Sequence, residues 1–491
     1  IKSFRDHEQR NIASYIAGLM LYKLSFEIWT GSLTTIALTR FHRSGEDNID
    51  ENTPVGMLGA LQSLNLVFQC LGTVVAAWGL RLGWGSRSIL IWTVLAGVLI
   101  SGGLLGLDIG TGGRWKGYEV YGKEVYGNWD ARILFLVFAL AGVVAGVVEL
   151  VRKVMPRKAV ERMGNKLRRM DAMVHIFYEL AGTAGAFLSA DLDLRLGSNF
   201  AVVAVPGGWL LASVVLLGMR LMRDVEELAD EKNADSSGTV PFFTTLQLGV
   251  RLIFSTPQYA WLPLGYSLSL YAHRYLENGL APAIAKYVYN EPAYYQIIVG
   301  GSNLGELIGA LAVFLLTETI QSPLLWVRLD ATVLAIIWVV VKWRPPVFPV
   351  VWAWKLAAVF LPISLGWAAG DVSLVAHIQA TLSAHEPERD FHSDPEYRTI
   401  TSLGAVMAVL YSTYIALFAL LNPLLGIYID RVVNSNINPG VGDGRKGIWE
   451  ALVNVGGIQF TIIAVLVGGS TFAPLMGEYW PWRRHGRKMY V

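Results

Sequence analysis

The segment "MRDVEELADEKNADSSGTV", residues 222–240, is the longest mainly polar stretch between the apolar runs of this chain. Its serine, glycine, asparagine and charged residues are typical of a flexible linker. Apolar runs of about 20 residues, the length that crosses a bilayer core, lie on both sides of the segment. The segment therefore predicts two apolar halves, residues 1–221 and 259–491, joined by a cytoplasmic linker and an amphipathic segment at 222–258.

The composition of the 491-residue chain indicates an integral membrane protein. Hydrophobic residues make up 53% of it and charged residues only 16%, whereas soluble domains usually carry about 25% charged residues. The 50 glycines and 17 tryptophans agree, because glycine is frequent in membrane helices and tryptophan at membrane interfaces. A net charge of +2 with no separate basic domain argues against nucleic-acid binding. The single cysteine, Cys70, excludes an intrachain disulfide and a thiolate metal cluster.

Hydropathy predicts an all-α membrane protein with twelve spans, six on each side of the linker. We number them 1 to 12 in chain order. The predicted spans are 12–39, 55–80, 88–108, 131–151, 172–194, 199–221, 259–287, 295–317, 324–342, 348–380, 400–430 and 448–475.

The basic residues between the spans set the predicted orientation. The loop at 151–171, between spans 4 and 5, carries eight basic residues against two acids, so it is expected on the cytoplasmic side. An even number of spans then places both termini in the cytoplasm, with the basic tail "WRRHGRKMYV" at 482–491. The acidic loop at 381–399 is the exception, although acids contribute little to this rule.

Ionisable residues inside the spans are the candidate functional groups. A charge at the bilayer centre costs about 2.5–3.5 kcal/mol on insertion scales, so such residues face a cavity and pair with one another. Span 1 carries Lys23 and Glu27 four residues apart, hence on one helix face. They are either a structural pair or part of a site, and Glu27 is the better candidate because it lies nearer the middle of the span.

Span 7 contains "SLYAHRYLENG", residues 269–279, with three ionisable groups in five positions. His273 and Glu277 share one face, and such a pair can relay a proton because histidine titrates near physiological pH. Pro282 and the glycine that ends the stretch predict a break in the helix. The alternative is structural: Arg274 pairs with Glu277, and His273 bonds to a neighbouring helix.

Three further spans carry buried candidates. Span 5 repeats the histidine-to-acid spacing with His175 and Glu179, and span 10 carries Asp371. In span 8, Glu306 lies among glycines at four-residue spacing, which predicts close helix packing, and it needs a partner such as Lys355 or the arginine of span 7. The predicted substrate or coupling residues are Glu27, Lys23, His273, Arg274, Glu277, Glu306 and Asp371, with His175 and Glu179 as further candidates.

The layout resembles that of the major facilitator superfamily. The stretch "VVELVRKVMPRK…NKLRRMDAMVHIFYELAGTAGAFLSA", within 147–190, resembles a group of fungal members and, more distantly, the helix 4–5 region of ferroportins. The resemblance implies two halves that rock about a midplane site. By the same analogy, Arg87, Glu149 and Arg152 are expected to form an inner gate.

Two family signatures depart from the usual pattern. The link between spans 2 and 3, "GLRLGWGSR" at 79–87, lacks the aspartate of the superfamily motif. A full match, "GIYIDR" ending at Asp430 and Arg431, lies in a link predicted to be outside, so we interpret it as chance. The ferroportin iron ligands are also missing: Gly279 stands near the family's cysteine, and span 11 has no histidine.

The leading hypothesis is a secondary active transporter that moves a small molecule or ion by alternating access, coupled to protons through Glu27, Glu277, Glu306 or Asp371. No GxxxxGK[ST] motif supports ATP-driven pumping, and we expect neither enzymatic activity nor a cofactor. The partners expected are the solute and the lipid bilayer, with a monomeric chain. One alternative is a ferroportin-like metal carrier using His273, Glu277 and Asp371; the other is a non-transporting receptor or complex subunit.

Overall fold

The structure is a computed structural model that describes part of the chain. The described residues are 6–44, 53–116, 125–159, 164–218, 242–255, 259–316, 319–320, 322–343, 349–385, 402–436 and 445–473. The linker at 222–240, most of the acidic loop at 381–399 and the basic tail at 482–491 lie outside them. The predictions for those segments therefore stay predictions.

The described residues are almost entirely helical. The helices are α1 Asp6–Ser44, α2 Pro54–Arg81, α3 Ser86–Gly110, α4 Ile133–Ala159, α5 Gly164–Leu196, α6 Ser198–Ala201, α7 Ala204–Leu217, α8 Phe242–Ser255, α9 Leu268–Tyr275, α10 Ala281–Tyr287, α11 Tyr295–Leu316, α12 Pro323–Val333, α13 Ile337–Lys342, α14 Pro349–His385, α15 Ser402–Ser435, α16 Arg445–Leu452 and α17 Gln459–Ser470.

Nine helical stretches of the described part are long and apolar enough to cross a bilayer. Their outer faces carry large apolar side chains such as Trp92, Leu99 and Val465, which are 71%, 76% and 68% exposed. An apolar surface of this kind needs a non-aqueous surrounding. The helices α1 and α5 and the segment 263–287 are not among the nine, and these three carry most of the candidate charged residues.

The segment 263–287 corrects one expectation. Instead of a break at Gly279 and Pro282, a π-helical turn at Leu276–Leu280 joins α9 to α10 without interruption. Pro282 stands in the first turn of α10, where a missing N–H is tolerated. Single π turns inside helices are frequent at functional sites, and this one contains Glu277.

The glycines of span 8 form the close packing that the sequence predicts. In α11 they face backbone carbonyls of α14, and a side chain at any of these positions would collide with the carbonyl. The pairs are Gly301 with Ala357, Gly305 with Leu361, and Gly309 with Leu365. This contact holds Glu306, one residue after Gly305, at a fixed place beside α14.

Among the described residues, the two most extensive contacts between the helices before residue 218 and those after residue 262 are α2 with α15 and α5 with α11. In the first, α2 and α15 touch backbone to backbone. A Cβ atom added at Gly59 would lie 2.8 Å from the carbonyl oxygen of Asn422, and one added at Gly426 would lie 2.8 Å from the Cα of Gly56. Asn422 also donates a hydrogen bond of 3.0 Å to Gln62. The small residues therefore allow a tight, specific seam.

Candidate functional site

Three buried ionisable side chains meet at the π-helical turn of 263–287. His273 Nε2 lies 2.5 Å from a carboxylate oxygen of Glu306 and 3.5 Å from one of Glu277. The side chains of His273 and Glu277 are only 1% and 5% exposed, and that of Glu306 is 14% exposed. We call these three residues the central cluster. Its ligand-type atoms all lie within 4.8 Å of one another.

Neighbouring side chains hold the central cluster in place. Arg274 donates to the second oxygen of Glu277 at 2.9 Å, which is the pair that the structural alternative expects, and Ser302 of α11 donates to the first at 2.8 Å. Trp367 of α14 stacks on the His273 ring, with centroids 5.6 Å apart and planes 19° apart. Because Glu277 is fixed from both sides and the ring is held flat, His273 has little freedom to turn away from Glu306.

The predicted pair of span 1 is confirmed on α1. Lys23 Nζ lies 2.5 Å from Glu27, with side chains 14% and 9% exposed. Lys23 also lies over the Tyr178 ring of α5, 5.0 Å from its centroid, and interacts electrostatically with Glu179 and with Glu306 of the central cluster. The sequence-predicted candidates Lys23, Glu27, Glu179 and Glu306 thus share one region, to which α1, α5 and α11 all contribute.

Two expectations about partners need correction. The partner of Glu306 is His273, not Arg274 or Lys355; Lys355 is exposed and lies over the Trp352 ring at 4.3 Å. The third side chain that joins His273 and Glu277 is Glu306 rather than Asp371. The Asp371 carboxylate instead accepts a hydrogen bond of 2.7 Å from Tyr266.

The span 5 histidine stands apart from the acid that follows it. His175 is half-buried on α5 and interacts electrostatically with Arg152 and, more weakly, with Asp371 and Glu306. Among the described side chains it forms no ion pair with Glu179. The repeated spacing in the sequence therefore does not produce a second histidine–acid pair.

The predicted inner gate is only partly assembled. Arg152 pairs with Glu149 at 2.7 Å, and Tyr178 donates to Glu149 at 3.0 Å. These three residues lie on α4 and α5, so the network ties two neighbouring helices together instead of bridging α2–α15 or α5–α11. Arg87 is not part of it: its guanidinium donates to the carbonyls of Leu216 and Leu217 at the end of α7. Arg87 meets those carbonyls because it lies in the first turn of α3, which packs beside α7.

Asp430, which the sequence argument set aside as a chance match, has a defined structural role. It is fully buried near the end of α15 and accepts backbone N–H bonds from Val55 at 3.3 Å and Gly56 at 2.8 Å. The Tyr287 hydroxyl donates to it at 2.5 Å. The carboxylate caps the N-terminus of α2, where unpaired N–H groups and the helix dipole favour a negative charge. Asp430 therefore fastens α15 and α10 to α2.

Comparison with known proteins shows which solved structures share this fold. No protein-family model matches the sequence, and no curated protein matches it. The chain is similar to the nucleoside transporter NupG, with a TM-score of 0.58, 12% identity, and coverage of 97% of this chain and 100% of that one. It is also similar to a D-xylose–proton symporter, with a TM-score of 0.59, 10% identity, and coverage of 95% of this chain and 96% of that one. A third similar structure is the peptide transporter POT in complex with sulfate, with a TM-score of 0.59, 11% identity, and coverage of 96% of this chain and 95% of that one. All three are transporters of the major facilitator fold, and this multi-pass membrane chain has that fold.

Proposed function

We propose that this protein is a secondary transporter that moves a small solute by alternating access and couples the movement to a proton. Twelve spans in two six-helix halves, 1–221 and 259–491, with both termini in the cytoplasm, fit the helix order and the fold shared with the nucleoside, xylose–proton and peptide transporters. Ionisable residues buried inside membrane spans, as on α1, α5, α9 and α11, are typical of transport pathways.

The charge balance of the central cluster carries the proposal. Two carboxylates, Glu277 and Glu306, face one guanidinium, that of Arg274, with His273 between them. Buried charges are costly unless they are balanced. The cluster and Arg274 together are neutral only when they hold one additional positive charge, and a proton on His273 or on one carboxylate supplies it. A site that gains and loses one proton is what proton coupling requires.

The α2–α15 seam supports an assignment of the conformational state. With the termini in the cytoplasm, the start of α2 and the end of α15 both lie on the outer side of the membrane. The seam, with Asp430 at its edge, then closes that side. The structure corresponds to a conformation closed to the outside, and transport requires the seam to open in the other state.

Replacing Glu306 with glutamine is expected to abolish pH-driven accumulation of solute while leaving solute exchange intact. The amide cannot bind a proton at neutral pH, so the cluster loses its coupling step. One proton per solute supports up to about tenfold accumulation for each pH unit, which corresponds to about 1.4 kcal/mol. Proteoliposomes screened with nucleosides, pentoses and di- and tripeptides under a pH gradient measure the accumulation, and counterflow measures exchange.

The matched control is Glu450→Gln, since Glu450 is exposed on α16, away from the cluster. This variant is expected to accumulate solute like the unmodified protein. Equal pH-driven accumulation by Glu306→Gln would contradict the assigned role of the cluster.

Transport of a divalent metal is a second candidate function, because the cluster offers one imidazole and two carboxylates within 4.8 Å. This ligand set suits Mn²⁺, Fe²⁺ and Zn²⁺. A bound cation would replace the proton as the balancing charge, and the carboxylates would separate from His273 to admit it. The cargo and the proton would then compete for the same three side chains.

Radiolabelled Mn²⁺ and Zn²⁺ uptake into proteoliposomes tests this candidate. His273→Ala is expected to abolish the flux if the metal is the cargo, because one of three ligands is lost. His42→Ala, a histidine near the end of α1, is the control. Flux that is absent from the unmodified protein, or unchanged in His273→Ala, argues against metal transport through the cluster.

A further inference from the structure

Behind the central cluster, three buried polar atoms have no hydrogen-bond partner among the described residues. They are Asp330 Oδ1, Ser269 Oγ and His273 Nδ1. The residues are only 2%, 3% and 1% exposed. Most buried polar groups are paired, so three orphaned atoms in one place call for an explanation.

The three side chains are neighbours, although no hydrogen bond joins their orphaned atoms in this conformation. Ser269 and His273 are four residues apart at the start and in the last turn of α9, hence on one helix face. Asp330, on α12, interacts with both Ser269 and His273. His273 uses its other nitrogen, Nε2, to meet Glu306. The imidazole therefore stands between Glu306 on one side and Ser269 with Asp330 on the other.

Among the residues that the structure describes, one charged or titratable group acts on the Asp330 carboxyl. On α14 its close neighbours are Gly366, where an added Cβ would lie 3.0 Å from the Asp330 Cα, and Gly370. The helix α17, which also packs against α12, contains no charged residue. The titratable or charged group that faces Asp330 is His273, which in turn faces Glu277, Glu306 and Arg274.

An ionised carboxylate without a cation or a full set of donors costs several kcal/mol in a dry interior. A protonated carboxyl avoids most of that cost and gains an O–H donor. A serine hydroxyl both donates and accepts, so Ser269 can pass a proton between two groups that do not touch.

We infer that Asp330 is an internal proton-holding site that exchanges a proton with His273 through Ser269. The Asp330 O–H bond breaks as Ser269 Oγ accepts the proton, the Ser269 proton moves to His273 Nδ1, and the Nε2 proton moves to Glu306. One proton leaves Asp330 and one arrives at Glu306, so the transfer balances. The inference rests on the proposed proton coupling and gives that proton a second place in the protein.

Infrared difference spectroscopy of the protein in lipid nanodiscs tests the inference. A protonated carboxyl has a C=O stretching band that an ionised one lacks. Near neutral pH, Asp330→Asn is expected to lose a band equal in area to one carboxyl group. Ser269→Ala is expected to shift that band, because the neighbouring hydroxyl that interacts with Asp330 is gone, and Ser269→Thr, which keeps a hydroxyl, is expected to restore its position. Asp191→Asn, at an exposed acid of α5, is the control and leaves the band unchanged.

An unchanged carboxyl band in Asp330→Asn overturns the inference. If that variant does not fold, Ser269→Ala decides instead: an unmoved band overturns the inference, and a shift reversed by Ser269→Thr supports it. The spectra are recorded without solute, so failure of transport in the unmodified protein leaves the result valid. Conversely, pH-driven accumulation combined with no Asp330 band overturns the inference and leaves the proposed function standing.

Discussion

Replacing Asp430 with alanine is expected to open the outer side of the protein and to shift its conformational equilibrium about a hundredfold, corresponding to about 3 kcal/mol. The substitution removes three hydrogen-bond contacts to a buried carboxylate, from the N–H groups of Val55 and Gly56 and from the Tyr287 hydroxyl. In an open state water can solvate the freed groups, whereas in the closed state they stay buried and unpaired. The substitution therefore destabilises the closed state relative to the open state.

The chain's single cysteine makes this shift measurable. With Cys70→Ser as background, Ser63→Cys places a buried reporter on α2, on the same helix face as Gly56 and Gly59. A membrane-impermeant maleimide added from outside is expected to label it slowly in the background and far faster with Asp430→Ala. Arg431→Ala, at the exposed neighbouring position, is the control. Equal labelling rates in Asp430→Ala and the background would refute the role of Asp430 in outer closure.

Sequence reasoning identifies pairs within one helix because a fixed rise and rotation relate their positions. The Lys23–Glu27 and Arg274–Glu277 pairs are confirmed for this reason. The partner of Glu306 could not be found in this way. His273 stands 33 residues earlier on another helix, and hydropathy fixes neither the rotation of a helix about its axis nor its depth.

Two buried acids that were not among the predicted site residues could have been selected from the sequence. Asp330 lies within the predicted span 324–342, and Asp430 ends the predicted span 400–430. An acid inside a membrane span is a candidate site by default, and that rule applied to both residues. Asp430 was interpreted as a chance match to a family signature, because that signature is expected on the cytoplasmic side and Asp430 is predicted on the outer side. The rule that an acid inside a membrane span is a candidate site would have selected Asp430, whereas the signature comparison did not.

Asp108, a buried acid at the end of α3, holds the described part of the loop between α3 and α4 in place. It accepts hydrogen bonds from the Gly127 N–H at 2.9 Å, from Trp129 Nε1 at 2.8 Å and from Asn199 at 2.9 Å. Arg40 of α1 forms an ion pair with it at 3.1 Å. Sequence reasoning missed this group because its members are spread over four segments that only the fold brings together.

Replacing Asp108 with alanine is expected to lower the free energy of unfolding by about 3–5 kcal/mol, because it removes one member of a buried ion pair and the acceptor of three further hydrogen bonds. Arg40 also donates to the carbonyls of Trp129 and Gly127, so those bonds remain and limit the loss. Denaturation of the purified protein in detergent, followed by tryptophan fluorescence, measures the change. Asp130→Asn, at an exposed acid of the same loop whose side-chain oxygen accepts the Arg132 N–H at 2.8 Å, keeps that acceptor and is expected to change stability by no more than about 0.5 kcal/mol.

A double-mutant cycle separates the ion pair from simple loss of packing. If the cost of Asp108→Ala arises from the unpaired charge, adding Arg40→Met removes that charge and recovers part of the stability, since replacing both members of a buried pair costs less than removing one. The double variant is then more stable than the sum of the two single variants predicts. Strictly additive losses would mean that Arg40 and Asp108 act independently, and the loop after α3 would owe its position to other contacts, such as the hydrogen bonds from Asn199 to the carbonyls of Arg114 and Val125.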